Sequence, residues 1–293
     1  MINGDSFHHR RAGRYGAGWT LVLAGVLLLL ARTAGAGDLA NVKTRGKLIM
    51  LCYPSQNSTF VSADLEAMRE HNLKLAELRN PDHFRGLDVE LVKGFAKSLG
   101  VELEIHPVTT GYDALLPAVD KGEGDLVASS LSITPKRLES VDFSAPYLTS
   151  WVAVAVPPHS KIASPADLAG KKVALMRGSS QLEFLQSQAP DVKIMLTDFS
   201  LENYVAVKEG DADFTLLDSR AAVGERVSAA YPDLKVAFRL REFGYGVAVR
   251  KGSDLLAPLN AYIAKLRQSG ELDRMVERND PVGGEKNRPA PPH

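Results

Sequence analysis

A single cysteine, Cys52, stands in a chain of 293 residues, which excludes any intramolecular disulfide. It follows the apolar run Leu48-Ile49-Met50-Leu51 and reads as a small buried hydrophobe, with no partner base for nucleophilic chemistry. There is no surplus of charge. The 35 basic side chains balance 35 acidic ones, whereas a nucleic-acid binder usually carries a basic excess. The histidines beyond the N-terminal region (His71, His83, His106, His159 and His293) lack close metal-ligand spacing, so neither a metal nor a cofactor is expected. Gly244-x-Gly246 lacks the third glycine and the following helix of a dinucleotide fingerprint. Only one long apolar run exists, "WTLVLAGVLLLLA" from Trp19 to Ala31, and it is short for a membrane span of about 20 residues.

What is there begins with that run. The basic "HHRRAGR" from His8 to Arg14 precedes it, and the small-residue site Ala34-Gly35-Ala36 follows it. This order is that of a cleavable export signal over residues 1–36, with a mature start at Gly37 and a periplasmic destination. An uncleaved anchor is the other reading of the same features. No cysteine follows the run closely, which argues against lipid modification. Hydrophobic residues at 45% and charged residues at 24% describe a globular remainder, long enough for one large or two medium domains.

Beyond Lys47 the pattern alternates. "KLIMLC", "VELEIHPV" and "DLVASS" read as strands, separated by helices over Leu87–Gly100 and in "YDALLPAVDKG". The rhythm returns with strands "KKVALM", "VKIML" and "DFTLL" and helices over Ser180–Ser187 and Leu201–Glu209. Between the two series, "FSAPYLTSWVAVAVPP" from Phe143 to Pro158 is extended. Two α/β units with largely parallel sheets, joined by an extended crossing, predict two lobes. Helices over Leu255–Gln268 and Glu271–Arg278 close the fold, and "PVGGEKNRPAPPH" is expected to be disordered. Residues 54–86 are long for a strand-to-helix connection and contain the helix-like "SADLEAMREHNLKLAELRN". They read as an inserted lid over a crevice or as a decorative surface insertion. A lid would turn Tyr53, Asn57 and Phe60 toward the crevice.

Three polar groups fall at strand ends, where ligands collect in open α/β sheets. "SSLSITPKR", Ser129 to Arg137, places Ser130, Ser132 and Arg137 after the apolar Leu126-Val127-Ala128. Hydroxyls there are costly to bury without partners, so the stretch is a surface loop or a site. "RGSSQ" puts Ser179 and Ser180 at a helix start, which suits an anion. Asp218 follows "DFTLL" as a helix cap or an acceptor. Together, Arg137 and the serines suit a carboxylate and Asp218 suits an ammonium, the two charges of a free α-amino acid gripped between lobes.

"GLDVELVKGFAKSLG", "GDLVASSLSITPKRLESVDFSAPY", "GKKVALMRGSS" and "GDADFTLLD" resemble the polar amino-acid-binding proteins of bacterial ABC importers, solute-binding family 3, over roughly 45–278. "SSLSITPKR" is especially similar to the binders of lysine, arginine, ornithine and histidine. The resemblance implies a type II periplasmic-binding-protein fold: two mainly parallel sheets, a double-strand hinge and a cleft. Lobe 1 would comprise 45–150 plus 243–278 with the insertion 54–86, and lobe 2 would comprise 154–239. The hinge would lie at Ser150–Ala153 and Leu240–Glu242, and the tail at 279–293. It further implies that Arg137 grips a ligand carboxylate with help from Ser130, Ser132 and Ser180, beside Ser179 at the same helix start, and that Asp218 takes the α-ammonium. Tyr53 or Phe60 would cover the ligand side chain. The protein would act as a monomer, bind an amino acid-like solute and dock on importer membrane subunits, without nucleic acid and without catalysis. Relatives with other roles exist. Some lytic transglycosylases carry such a module before a lysozyme-like domain, for which the residues after Arg278 are too few, so a sensor of cell-wall fragments is the alternative. Periplasmic dehydratases carry an acid shortly after the position of Asp218, where Glu225 lies too far along.

Overall fold

The computed structural model describes residues 38–54, 58–70, 72–189, 191–218 and 233–279. The expected export signal, Asn57, Glu225 and the tail beyond Asn279 lie outside the described residues. Helix α1 (Asp38–Arg45), which the sequence pattern did not announce, leads into β1 (Lys47–Cys52). The insertion carries β2 (Ser62–Ala63), α2 (Leu65–Glu70) and β3 (Phe84–Arg85). Then come α3 (Leu87–Leu99), β4 (Glu102–Pro107), α4 (Leu115–Asp120), β5 (Leu126–Val127), α5 (Pro135–Ser140) and β6 (Val141–Phe143). Strand β7 (Leu148–Val156) crosses to β8 (Lys172–Met176), α6 (Ser180–Gln188), β9 (Lys193–Thr197), α7 (Ser200–Lys208) and β10 (Phe214–Asp218). Strand β11 (Lys235–Tyr245) returns the chain to β12 (Ala248–Arg250), α8 (Leu256–Gln268) and α9 (Glu271–Asn279).

These strands form two five-stranded sheets, ordered β4-β1-β5-β12-β6 and β11-β7-β10-β8-β9. Each is parallel where strand–helix units repeat. Each turns antiparallel where the chain crosses between lobes: β12 runs against β5 and β6, and β7 runs against β10 and β11. The expectation of mainly parallel sheets therefore holds only for the repeating units. The β7–β11 ladder joins the lobes from Lys235↔Val156 to Tyr245↔Leu148, with register breaks at Val236/Phe238 and Arg239/Arg241. Ser150–Ala153 and Leu240–Glu242 lie inside this ladder.

Helix α3 shows why the first lobe holds. Leu91, Val92, Phe95 and Ala96 recur at helical spacing, are buried against the sheet, and end at Gly100 in the left-handed conformation. Its first turn is anchored by the insertion, because Leu87 and Asp88 donate backbone N–H groups to the Thr59 and Phe60 carbonyls. Gly86 permits that approach. Its φ is +123°, and a Cβ there would lie 2.3 Å from the Phe60 oxygen.

The helix-like stretch 62–80 does not form one helix. Helix α2 ends at Glu70, Asn72 takes a left-handed φ of +50°, and the chain continues in short 3-10 turns over Leu75–Glu77 and Pro81–His83. Asn and Asn-Pro pairs favour such breaks. This returning limb lies along the outer edge of β4, where Leu78 is buried and the Arg79 carbonyl accepts the Ile105 N–H at 3.0 Å. It covers a strand edge that would otherwise present unpaired donors. Among the described residues no helix is long and apolar enough to cross a membrane.

Candidate functional site

The end of β5 is where the hydroxyls gather. The strand stops after Val127, and Ser130 takes a φ of +50°, uncommon for a residue with a side chain. Its backbone N–H donates to Asp88 Oδ2 at 2.7 Å, and Tyr147 Oη donates to Asp88 Oδ1 at 2.5 Å. Asp88 is wholly buried, and loss of water pushes its carboxyl up to about 6 against these two donors. Ser129 Oγ accepts the Tyr53 N–H at 3.0 Å, and Tyr112 Oη donates to the carbonyls of Ser129 and Ser130 at 3.1 and 3.3 Å. Every turn of this loop has a partner, so it is not a loose surface loop.

Thr134 caps the short helix α5, accepting the Arg137 N–H at 3.2 Å, with Pro135 at the first helical position. The cap turns Arg137 inward, where its side chain is 4% exposed. Its guanidinium carbon lies 5.9 Å from the Tyr112 ring centroid. Arg137 Nη1 donates to the Ser132 carbonyl at 3.0 Å within its own lobe. Nη2 reaches the second lobe, at the Gly178 carbonyl, 2.9 Å away, and Nε meets Glu183 Oε1 at 3.3 Å.

The second lobe supplies the turn between β8 and α6. Ser179 is the cap of α6, its hydroxyl oxygen accepting the Leu182 N–H, which leaves only its O–H to donate elsewhere. Ser180 is free of that duty, and its hydroxyl donates across the lobes to Ser132 Oγ at 3.0 Å. Gly178 makes the approach possible, since a Cβ there would lie 2.6 Å from Asp113 Cβ. Asp218, at the end of β10, accepts from Ser150 Oγ at 2.8 Å and so lies beside the crossing strand β7. The structure thus brings Ser132, Arg137 and Ser180 together across the lobes, with Ser130 tied through Tyr112 to the first-lobe loop and Ser179 in the second-lobe turn.

Tyr53 stands edge-on to Tyr112 with centroids 6.0 Å apart. Burial, and secondarily the charge of Asp198 on the second lobe, raise its phenol above the ordinary range. Phe60 is a correction. It is buried in the hydrophobic core with its ring 4.9 Å from Tyr245, so it supports the first lobe rather than lining a wall. The reason is local: residues 59–60 are tied to the first turn of α3, which turns the ring inward.

Sequence reasoning passed over Tyr112, Gly178, Glu183 and Asp88. Glu183 had a usable signal, because it lies three residues after Ser180 and shares its helix face. Among the described residues no cluster of three or more His, Cys, Asp or Glu side chains could hold a metal ion.

The family model for bacterial extracellular solute-binding proteins, family 3, matches residues 70–279. The membrane-bound lytic murein transglycosylase F of Desulfosudis oleivorans is 29% identical over 272 residues, 89% of this chain and 54% of that protein. The chain therefore spans about half the length of that curated relative. The L-cystine-binding protein TcyJ of Escherichia coli K12 is 33% identical over 199 residues, 66% of this chain and 73% of that protein. Among solved structures, the solute receptor for L-cysteine of Neisseria gonorrhoeae superposes with a TM-score of 0.71 at 28% identity, covering 87% of this chain and 98% of that one.

Proposed function

The chain belongs to the bacterial extracellular solute-binding proteins, family 3, with their two-lobed type II fold, and from that premise we propose that it binds a free amino acid or a close analogue between its lobes, in the periplasm, and delivers it to the membrane subunits of an ABC importer. It works as a monomer, without cofactor and without catalysis. The observation that supports this most is Arg137, buried at the lobe boundary with a hydroxyl pair, Ser132 and Ser180, bonded across it. A guanidinium carries five N–H donors. Three are used, on Glu183, Ser132 and Gly178. One N–H remains on each of Nη1 and Nη2, two donors available to a carboxylate. Asp218 takes the α-ammonium, Tyr53 covers the side chain, and Ser130, Ser132, Ser179 and Ser180 complete the carboxylate end.

Isothermal titration against one confirmed amino acid tests this. Arg137→Ala is expected to weaken binding by roughly 30-fold or more, since truncating a buried charge partner costs about 2–5 kcal/mol. Asp218→Asn should hurt the amino acid far more than the same acid without its amino group. Parental affinity in both variants would remove the assignment.

The transglycosylase relative supports a second reading, a sensor of cell-wall fragments. A thermal-shift screen of amino acids beside muropeptides separates the two, since only the second reading has the muropeptides stabilise the protein and free amino acids leave it unmoved.

A further inference from the structure

The site carries a carboxylate of its own. Glu183 projects from α6 in the second lobe, with its side chain 18% exposed. One oxygen meets Arg137 Nε at 3.3 Å, and the other accepts from Thr134 Oγ1 at 2.9 Å. Both partners belong to the first lobe. The Thr134 hydroxyl serves twice, since it also accepts the Arg137 N–H that starts α5. Arg241, on the crossing strand β11, has its guanidinium carbon 4.9 Å from the ring centroid of the neighbouring Phe184 and feels the Glu183 charge.

We infer that Glu183 is a positioning residue that bridges the two lobes and sets the orientation of Arg137 for the ligand. The inference rests on the proposed amino-acid site. A side-on grip of a ligand carboxylate would use Nε and one Nη of Arg137. Glu183 takes Nε, which leaves the ligand carboxylate the remaining Nη donors. Glu183 therefore does not compete with the ligand carboxylate; it selects the geometry in which that carboxylate is held. Each bridging bond joins protein atoms alone and forms only when the lobes approach. Glu183 thus raises the population of the approached state, and apparent affinity scales with that population. The contacts are charge-assisted and partly screened from water, so their loss is felt as about tenfold or more in affinity.

Two measurements test the bridge. The first is an interlobe distance, from a pair of spin labels, in the protein without added ligand. Glu183→Gln and Arg137→Ala should each shift the distribution to longer distances, and the double variant should open no further than either single one. A merely structural Glu183 would leave the distances unmoved or give additive shifts. The second is titration of a confirmed amino acid, in which Glu183→Gln should raise Kd about tenfold. Glu183→Asp keeps the charge but is too short for both partners, and should behave like Glu183→Gln. Parental distances and Kd in both Glu183 variants would overturn the inference. If no amino acid binds the parent protein, the proposed function fails, while the distance measurement still decides on Glu183.

Discussion

Replacing Gly178 by alanine separates lobe approach from fold stability. Gly178 has a φ of +68°, and a Cβ added there would lie 2.6 Å from Asp113 Cβ and 2.9 Å from Asp113 Cα. Those atoms are not the far end of a flexible side chain, so the clash cannot be relieved by rotation. Restoring ordinary contact needs the β8–α6 turn to retreat from the first lobe by roughly 1 Å. The hydrogen bonds from Arg137 to the Gly178 carbonyl, at 2.9 Å, and from Ser180 to Ser132, at 3.0 Å, would then stretch beyond bonding distance. A lost bond to a charged donor is worth about 1.5–3 kcal/mol, a factor of at least ten in affinity. The left-handed backbone adds a cost of about 1–2 kcal/mol whether the lobes are apart or together. Urea unfolding of Gly178→Ala should report the backbone cost together with the limited lobe approach of the ligand-free protein, and the further loss seen on titration of a confirmed amino acid should report the interlobe clash. A variant that loses stability but binds like the parent would show that the lobes do not meet at Gly178 when ligand is held.

Two further outcomes are expected. Asp88 has its pKa raised from 3.8 to about 6 by burial, so the native state holds that proton more tightly than the unfolded chain. Its stabilising contribution is present below about pH 4 and is lost as pH rises through 6, an effect on the order of 2–3 kcal/mol; Asp88→Asn should therefore flatten the decline in urea stability across that window, and equal pH profiles would contradict the burial argument. The exported protein should begin at or near Gly37, which intact mass spectrometry reads directly, and a full-length membrane-embedded product would favour the anchor.

The alternation of apolar strands with helical stripes settled much of the architecture in advance. Strand β1, helix α3 and the β8–α6 unit lie where periodicity places them, because each buries one face against a sheet and local pattern records that burial. The turn at Ser179-Ser180 was legible for a similar reason, since a capping serine acts on residues three positions away. Chain order does not record which surfaces meet after the crossing strands fold back. Glu183 and Arg137 are 46 positions apart and Gly178 and Asp113 are on different lobes, so their pairing depends on the β7–β11 ladder. Phe60 shows the same limit, for its composition suited a cleft wall and only its tie to α3 turned it into the core. The insertion pattern looked helical along 62–80, yet Asn72 and Asn80-Pro81 broke it and the edge of β4 offered its backbone a partner. Sequence determined which segments would be strands, helices and polar ends. Tertiary structure decided which charges face each other, because that depends on long-range packing that no local periodicity encodes.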